Sequence, residues 1–370
     1  MSIIVFIIIL AVLVFAHELG HFLAAKSADV RVDEFSIGFP PRVVSKKIGE
    51  TVYALNIVPL GGYVKIFGED GDTADQSVEI SNIDSTERNF HQKNRGVQAF
   101  ILSAGIIANF VFAWFLISLG LVIGLPTPLD SATGPNISNA HVVVAEISPG
   151  SPASRADFEA GDTIASLQSG SDKILNPGID DVSAFVVKHS NQEIEATLIR
   201  GQATIQTAVT PVKGIIKNVP AIGISMIIIG TVKYPFAQSL LQGALDTGSF
   251  TVAIVKALAQ FFYNVVLFKA DLSQVSGPVG IASMVGEAEK LGISYLLTFT
   301  AVISINLAII NLIPFPALDG GRLLFVAIEA IIRRPINPRI QRIANGVGLA
   351  LLLILMVLVT LSDVLKLIAK

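Results

Sequence analysis

IIVFIIILAVLVFAHELGHFLAA, running from Ile3 to Ala25, decides the fold. A helix crossing the roughly 30 Å hydrocarbon core of a bilayer needs about 20 apolar residues, and this run has the length. It carries His17, Glu18 and His21 without leaving its apolar setting. At about 1.5 Å of rise per residue, His17 lies roughly 21 Å along the helix from Ile3, past the midplane. Ionisable groups in hydrocarbon cost about 2.5–3.5 kcal/mol each on insertion scales, so they are rare there without a partner or a task. Positions i and i+4 share a helix face, so the two imidazoles can chelate one metal ion. In an HExxH helix the Glu after the first His can take the proton of a water at that ion. The run has no cationic leader and no clear small-residue cleavage site, so a retained spanning helix is expected rather than a signal peptide.

Working outward, three more runs are long and apolar enough to span: Val97–Leu125, about Ile293–Phe315 and about Ile343–Leu361. Hydrophobic residues make up 52% of the 370 and charged residues 15%, against about 25% charged in soluble chains. The fold expected is a polytopic α-helical membrane protein with four transmembrane helices. A net charge of -3 with no basic stripe speaks against nucleic acid as a partner. With no cysteine in the chain, disulfides and thiolate metal sites are excluded, so any metal must use His and carboxylate.

Loop charge sets orientation. Lys26, Arg31, Arg42, Lys46, Lys47, Lys65, Arg88, Lys93 and Arg95 follow the first run, and Arg322, Arg333, Arg334, Arg339 and Arg342 precede the last. The positive-inside tendency places both loops in the cytoplasm and both termini outside. The chain then divides into a first transmembrane helix (1–26), a cytoplasmic loop with a membrane-associated β-hairpin (27–96) and a second helix (97–125). An extracytoplasmic segment (126–235) and an interfacial amphipathic region (236–290) follow. A third helix (291–321), a cytoplasmic loop (322–342) and a fourth helix with its tail (343–370) complete it.

A hydrolytic zinc site usually has three protein ligands and one open position. Asn311-Leu-Ile-Pro314-Phe-Pro316-Ala-Leu-Asp319-Gly320-Gly321 offers the third. Its prolines break a helix, its glycines let backbones approach closely, and irregular backbone at membrane depth must be buried in protein or line a wet cavity. Asp319 is then a carboxylate beside such a cavity; the blander alternative is a solvated Asp at a helix stop. Asp319 reaches the side of His17 and His21 only if the ambiguous apolar stretch Phe250–Phe268 does not span, and lies in the interface as an amphipathic helix can.

With HExxH in the first span and NxxPxPxLDGG near the end of the third, the chain resembles the site-2 protease family of intramembrane zinc metalloproteases, and most of all its regulator of sigma-E protease branch. Ser276-Gly277-Pro278-Val279-Gly280-Ile281 also resembles that branch, as does Arg88–Asn109, where SAGIIAN has Ile106 in place of the usual proline. The resemblance implies zinc ligation by His17, His21 and Asp319, with Glu18 as base. Asn311 corresponds to an Asn near the metal that faces substrate, where its amide can hold an unwound backbone or help with the oxyanion; a helix-break cap is the alternative. Asn109 is implied as a substrate-side residue as well. The segment Phe35–Glu69, with TVYALNIV and Gly61-Gly62, reads as a hairpin. In the family such a hairpin dips into the membrane from the cytoplasm, where its edge can take up substrate by strand addition; the alternative is a packing role.

Residues 141–212 alternate in short apolar runs between turn residues, as a compact mixed domain does. Ser148–Asp162 resembles the turn of PDZ domains, with Ala156-Asp157-Phe158 departing from the usual pattern. One inserted PDZ-like α+β domain is expected, to bind a trimmed substrate or to exclude untrimmed ones by size. The family implies a bacterial inner (cytoplasmic) membrane, with the domain on the periplasmic side. It also implies single-span substrates of anti-sigma factor type, cut after another protease has trimmed them, and remnant signal peptides. A non-enzymatic PDZ-containing receptor or scaffold, and a metal transporter, are the competing readings. An inactive relative is expected to lose the base or a ligand, and a transporter to spread its ligands across the membrane depth.

Overall fold

In a computed structural model, all residues are described except 1, 70–87, 130–135, 202, 217–218, 268, 270–275 and 369–370. The chain opens with α1 (Ser2–Ser27), β1 (Val32–Ile48), β2 (Thr51–Ile66) and α2 (Arg95–Ile123). There follow β3 (Leu125–Leu129), β4 (Ile137–Ile147), α3 (Pro152–Arg155), β5 (Thr163–Ser169), β6 (Asp172–Leu175) and α4 (Ile179–Lys188). Next come β7 (Ile194–Arg200), β8 (Ala203–Val209), β9 (Val212–Ile216), β10 (Val219–Ala221) and β11 (Ile224–Val232). The last elements are α5 (Phe236–Val266), α6 (Pro278–Leu291), α7 (Ile293–Leu312), α8 (Asp319–Ile332) and α9 (Pro338–Ile368). They form two units: Met1–Ser118 with Leu240–Glu289 and Leu296–Lys370, and Leu119–Ser239 with Lys290–Tyr295.

Four helices among the described residues are long and apolar enough to cross a membrane: Ile3–Ser27, Arg95–Ile123, Ile293–Leu312 and Pro338–Lys366. Residues 250–266 of the stretch that was ambiguous in the sequence belong to α5, which is not one of them, and residue 268 lies outside the described residues. Gln242, Asp246, Lys256 and Gln260 fall on one face of it at helical spacing, a polar stripe along an otherwise largely apolar helix.

In the first unit, helices meet through small residues, as they must where lipid gives no hydrophobic gain for association. Gly20 of α1 lies against Ala104 and Ala108 of α2; a Cβ there would stand 2.6 Å from the Ala108 methyl. The buried face of α7 is Thr300, Ala301, Ser304, Ile305, Ala308 and Ile309, and the Ser304 hydroxyl donates to the Asn109 carbonyl at 2.8 Å. The start of α5 is fixed to α2 by the Trp114 indole, which donates to the Leu240 carbonyl at 2.8 Å. Asp363 of α9 is buried and accepts from the Gly280 N–H at 2.8 Å, tying α9 to the start of α6.

The expected hairpin is more than a hairpin. Glu34–Ile37 pair with Gly62–Lys65 on one side and with Val52–Leu55 on the other, while Arg42–Ile48 pair with Thr51–Asn56. β1 and β2 thus fold back on themselves into a small sheet of four segments. Phe35 anchors it to α1, with ring centroids 5.9 Å from Phe15 and 5.3 Å from Phe22.

At the turn between β1 and β2, Glu50 accepts from Lys26 Nζ at 2.5 Å and from both Arg88 amino groups at 2.7 and 2.8 Å. The Arg88 and Lys26 hydrogen bonds pull the Glu50 carboxyl down to about 2. Because its folded pKa lies below its unfolded one, this clasp is fully present above the ordinary carboxylate range and is lost as pH falls through 4.5 towards 2. Glu50→Gln is expected to loosen the turn by about 1 kcal/mol at neutral pH, a partly exposed network of this kind being worth no more. Hydrogen exchange of the Thr51–Leu55 amides checks this: parent and variant should differ at pH 7 and converge near pH 2, and a difference that persists at pH 2 contradicts the assignment.

The second unit is the β-rich insertion. Its main sheet runs β3-β11-β4-β5-β7-β8, with β6 beside β5, and β9 pairs with β10 separately. Val142 and Val144, and Ile194, Ala196 and Leu198, alternate inward along β4 and β7, Ile164 and Leu167 of β5 join them across a register shift, and Val182, Phe185 and Val186 of α4 close over them. Arg200 braces the turn before β5, meeting the fully buried Asp162 at 2.7 Å.

Candidate metal centre

His17 and His21 project from the same face of α1 towards α2. Room for them comes from Gly105: a Cβ there would stand 2.8 Å from His17 Cε1 and 2.7 Å from His21 Cδ2. Ile101, Gly105 and Asn109 recur every four residues, so one stripe of α2 runs alongside both imidazoles. The Ile101 carbonyl meets His21 Nδ1 at 2.9 Å, and the Asn109 amide meets His17 Nδ1 at 3.2 Å. Ile106, in the proline position of the resemblance, is buried within unbroken helix.

Asp319 arrives from the break after α7. The helix stops at Leu312, the chain turns through Ile313–Leu318, and α8 starts at Asp319. Residues 322–332, expected as part of a loop, are therefore helical. DGGRLLFVAIEAII is too short to span and amphipathic, and Glu329 inside it is buried on Arg95 at 2.7 Å. Gly320 and Gly321 let α8 press against the break: added Cβ atoms would stand 2.6 Å from the Leu312 carbonyl carbon and 2.7 Å from that of Phe315. Ala317 sits at φ +76°, and its N–H donates to Asn345 Oδ1 of α9 at 3.2 Å. A carboxylate in the first turn of α8 also gains from the positive end of the helix dipole.

Asp319 Oδ2 lies 3.0 Å from His17 Nε2 and 3.3 Å from His21 Nε2, and the two Nε2 atoms are 3.2 Å apart. Zinc takes imidazole and carboxylate ligands at about 2.0–2.2 Å in tetrahedral array, which sets neighbouring ligand atoms roughly 3.3–3.6 Å apart. The triangle is within a few tenths of an ångström of that, and its side chains are only 9–18% exposed. Nitrogen and oxygen donors with no thiolate suit zinc, and three of them leave one position open. Glu18 stands beside the cluster, with His21, His17, Asp319 and the Val64 backbone around it. The model of peptidase family M50 matches residues 5–355.

The chain belongs to peptidase family M50.

Relatives agree over nearly full length. RasP of Bacillus subtilis, named a regulator of sigma-W protease, is 31% identical over 99% of this chain and 99% of its own. The zinc metalloproteases RasP of Geobacillus kaustophilus and of Oceanobacillus iheyensis are each 30% identical, over 99% of this chain and 98% and 99% of theirs. As a member of family M50 the chain is a zinc metalloprotease and, with its four apolar helices, a multi-pass membrane protein.

The remaining candidates divide. Gly62 brings the sheet onto α1: a Cβ would stand 2.9 Å from Val14 Cγ1 and 3.3 Å from Glu18 Cγ. Gly61 is buried under the Phe39 ring. Asn311 is half-buried in the last turn of α7, before the break. Asn109, expected to face substrate, is instead fully buried with its amide on His17. Sequence reading passed over Gly20 and Gly105, although both stood inside quoted motifs. Two small residues in facing spans are the signal for close helix approach.

Proposed function

We propose that this M50 member is an intramembrane endopeptidase in which His17, His21 and Asp319 hold zinc and Glu18 is the base. The observation that carries it is the convergence of two imidazoles from the apolar helix α1 and a carboxylate from the break between α7 and α8, with a second carboxylate beside them. Zinc held there supplies Lewis acidity, bringing the pKa of water at the site to about 7 and polarising a peptide carbonyl. Glu18 takes the proton of the attacking water and passes it to the departing amine nitrogen. Asn311 is placed to hold the substrate backbone near the break. The strand at Gly61-Gly62, packed on α1 next to Glu18, offers backbone groups to which an unwound segment can pair by strand addition. A helical substrate must unwind first, because its carbonyls are engaged in i, i+4 hydrogen bonds.

The substrates proposed are single-span membrane proteins of anti-sigma factor type, trimmed beforehand by another protease, and remnant signal peptides. The name of the Bacillus subtilis relative, a regulator of sigma-W protease, supports this class. The location proposed is the bacterial inner (cytoplasmic) membrane, with the β1–β2 sheet cytoplasmic. The termini and the β-rich unit, read as PDZ-like, lie outside, where that unit selects trimmed substrates by strand addition or by size. Loop charge supports this orientation. So does parity: Asp319 meets the histidines of α1 only if α5 stays in the interface. The test is cleavage of a single-span reporter by the purified chain. Cleavage within the reporter's transmembrane segment, stopped by a chelator and restored by zinc, is expected; cleavage confined to its soluble parts contradicts the proposal.

A further inference from the structure

Both histidines turn Nε2 towards Asp319 Oδ2. A neutral imidazole that presents one nitrogen's lone pair to a metal carries its proton on the other. His21 meets that requirement plainly, since its Nδ1 faces the Ile101 carbonyl at 2.9 Å, a group that can only accept. His17 Nδ1 instead faces the Asn109 side-chain nitrogen at 3.2 Å, so a protonated Nδ1 would meet a donor. Asn109 Oδ1, meanwhile, is buried without a hydrogen-bond partner among the described residues, in a residue with no exposed surface. The two ends of an amide are set by the hydrogen-bond network and exchange by a half-turn about the last side-chain bond. The far end of this amide has no hydrogen-bond partner among the described residues, so the turn breaks no hydrogen bond there, and it removes the clash of two donors.

We infer that Asn109 is a positioning residue of the metal centre: its side-chain oxygen accepts the His17 Nδ1–H, fixing the tautomer and ring orientation that present Nε2 to zinc. Ile101 and Asn109, two turns apart on one stripe of α2 with Gly105 between them, then serve His21 and His17 in the same way. Partners of this kind raise ligand basicity as well as orienting the ring. The assignment rests on the zinc centre proposed above and replaces the substrate-side role implied by resemblance.

The test is zinc affinity by chelator competition on the purified full chain, with helical content measured alongside. Asn109→Leu removes the acceptor at similar size and is expected to weaken zinc about 10–100-fold. Asn109→Asp can accept from Nδ1–H but cannot donate, and is expected to keep zinc within about threefold of the parent or to tighten it. Loss in Asn109→Asp equal to that in Asn109→Leu, or parental affinity in Asn109→Leu, overturns the assignment. Should Asn109→Leu fail to fold, the affinity of Asn109→Asp decides by itself. His17→Ala separates the two claims. Zinc lost there but kept in Asn109→Leu overturns only the role of Asn109, whereas zinc retained in His17→Ala overturns the centre itself.

Discussion

Glu18→Gln is expected to lower peptide-bond cleavage by roughly 10²–10⁴-fold, the usual worth of a positioned general base, while leaving zinc content and folding unchanged. Glu18 is not one of the three converging metal-site atoms, so its amide should not weaken the ion. Gln has nearly the same shape, so the packing of Gly62 against the Glu18 side chain should persist. What disappears is the capacity to take a proton from water and return it to the leaving nitrogen. Initial rates on a single-span substrate, with zinc counted in the same preparation, check this. Parental cleavage in the variant removes Glu18 as the base; loss of zinc together with loss of cleavage makes Glu18 a ligand instead.

Gly105→Ala is expected to cost about 100-fold in zinc affinity, and cleavage with it, the upper end of what disturbed ligand positioning produces. The added methyl would stand 2.7 Å from His21 Cδ2 and 2.8 Å from His17 Cε1, so both rings must swing away. Moving the helices apart instead would open the close contact of Gly20 in α1 with Ala104 and Ala108 in α2. A shift of either ring disturbs the Nε2 positions that now converge on Asp319. Chelator competition reads the affinity, and helical content should stay parental. A Gly105→Ala chain that binds zinc like the parent contradicts the packing described.

The chemistry was more legible in the sequence than the scaffold that positions it. HELGH is local: an i, i+4 spacing inside an apolar run puts two imidazoles on one face whatever surrounds it. Asp319 could be joined to it because helix parity is countable along a chain. What α2 contributes was not legible. That Gly105 makes room and Ile101 and Asn109 hold the rings depends on how two helices cross, which neither sequence states; Ile106 drew attention for its departure from a pattern, yet it is ordinary helix core. The β1–β2 sheet was visible as alternation, but Glu34–Ile37 pair with two partners at once, and long-range register leaves little mark on composition. α8 was hidden because arginines and prolines on either side of FVAIEAII read as loop. The support for the Asp319 turn from Asn345, 28 residues further on, has no local signal at all.

The central claim is that one zinc ion is held jointly by α1 and the break before α8. Zinc per chain in the purified parent, His17→Ala and Asp319→Ala tests it most directly. About one ion in the parent and little in either variant is expected for a three-ligand site that loses a ligand. Stoichiometric zinc in Asp319→Ala would contradict it, since the histidines of α1 would then hold the metal without the carboxylate that the fold brings to them.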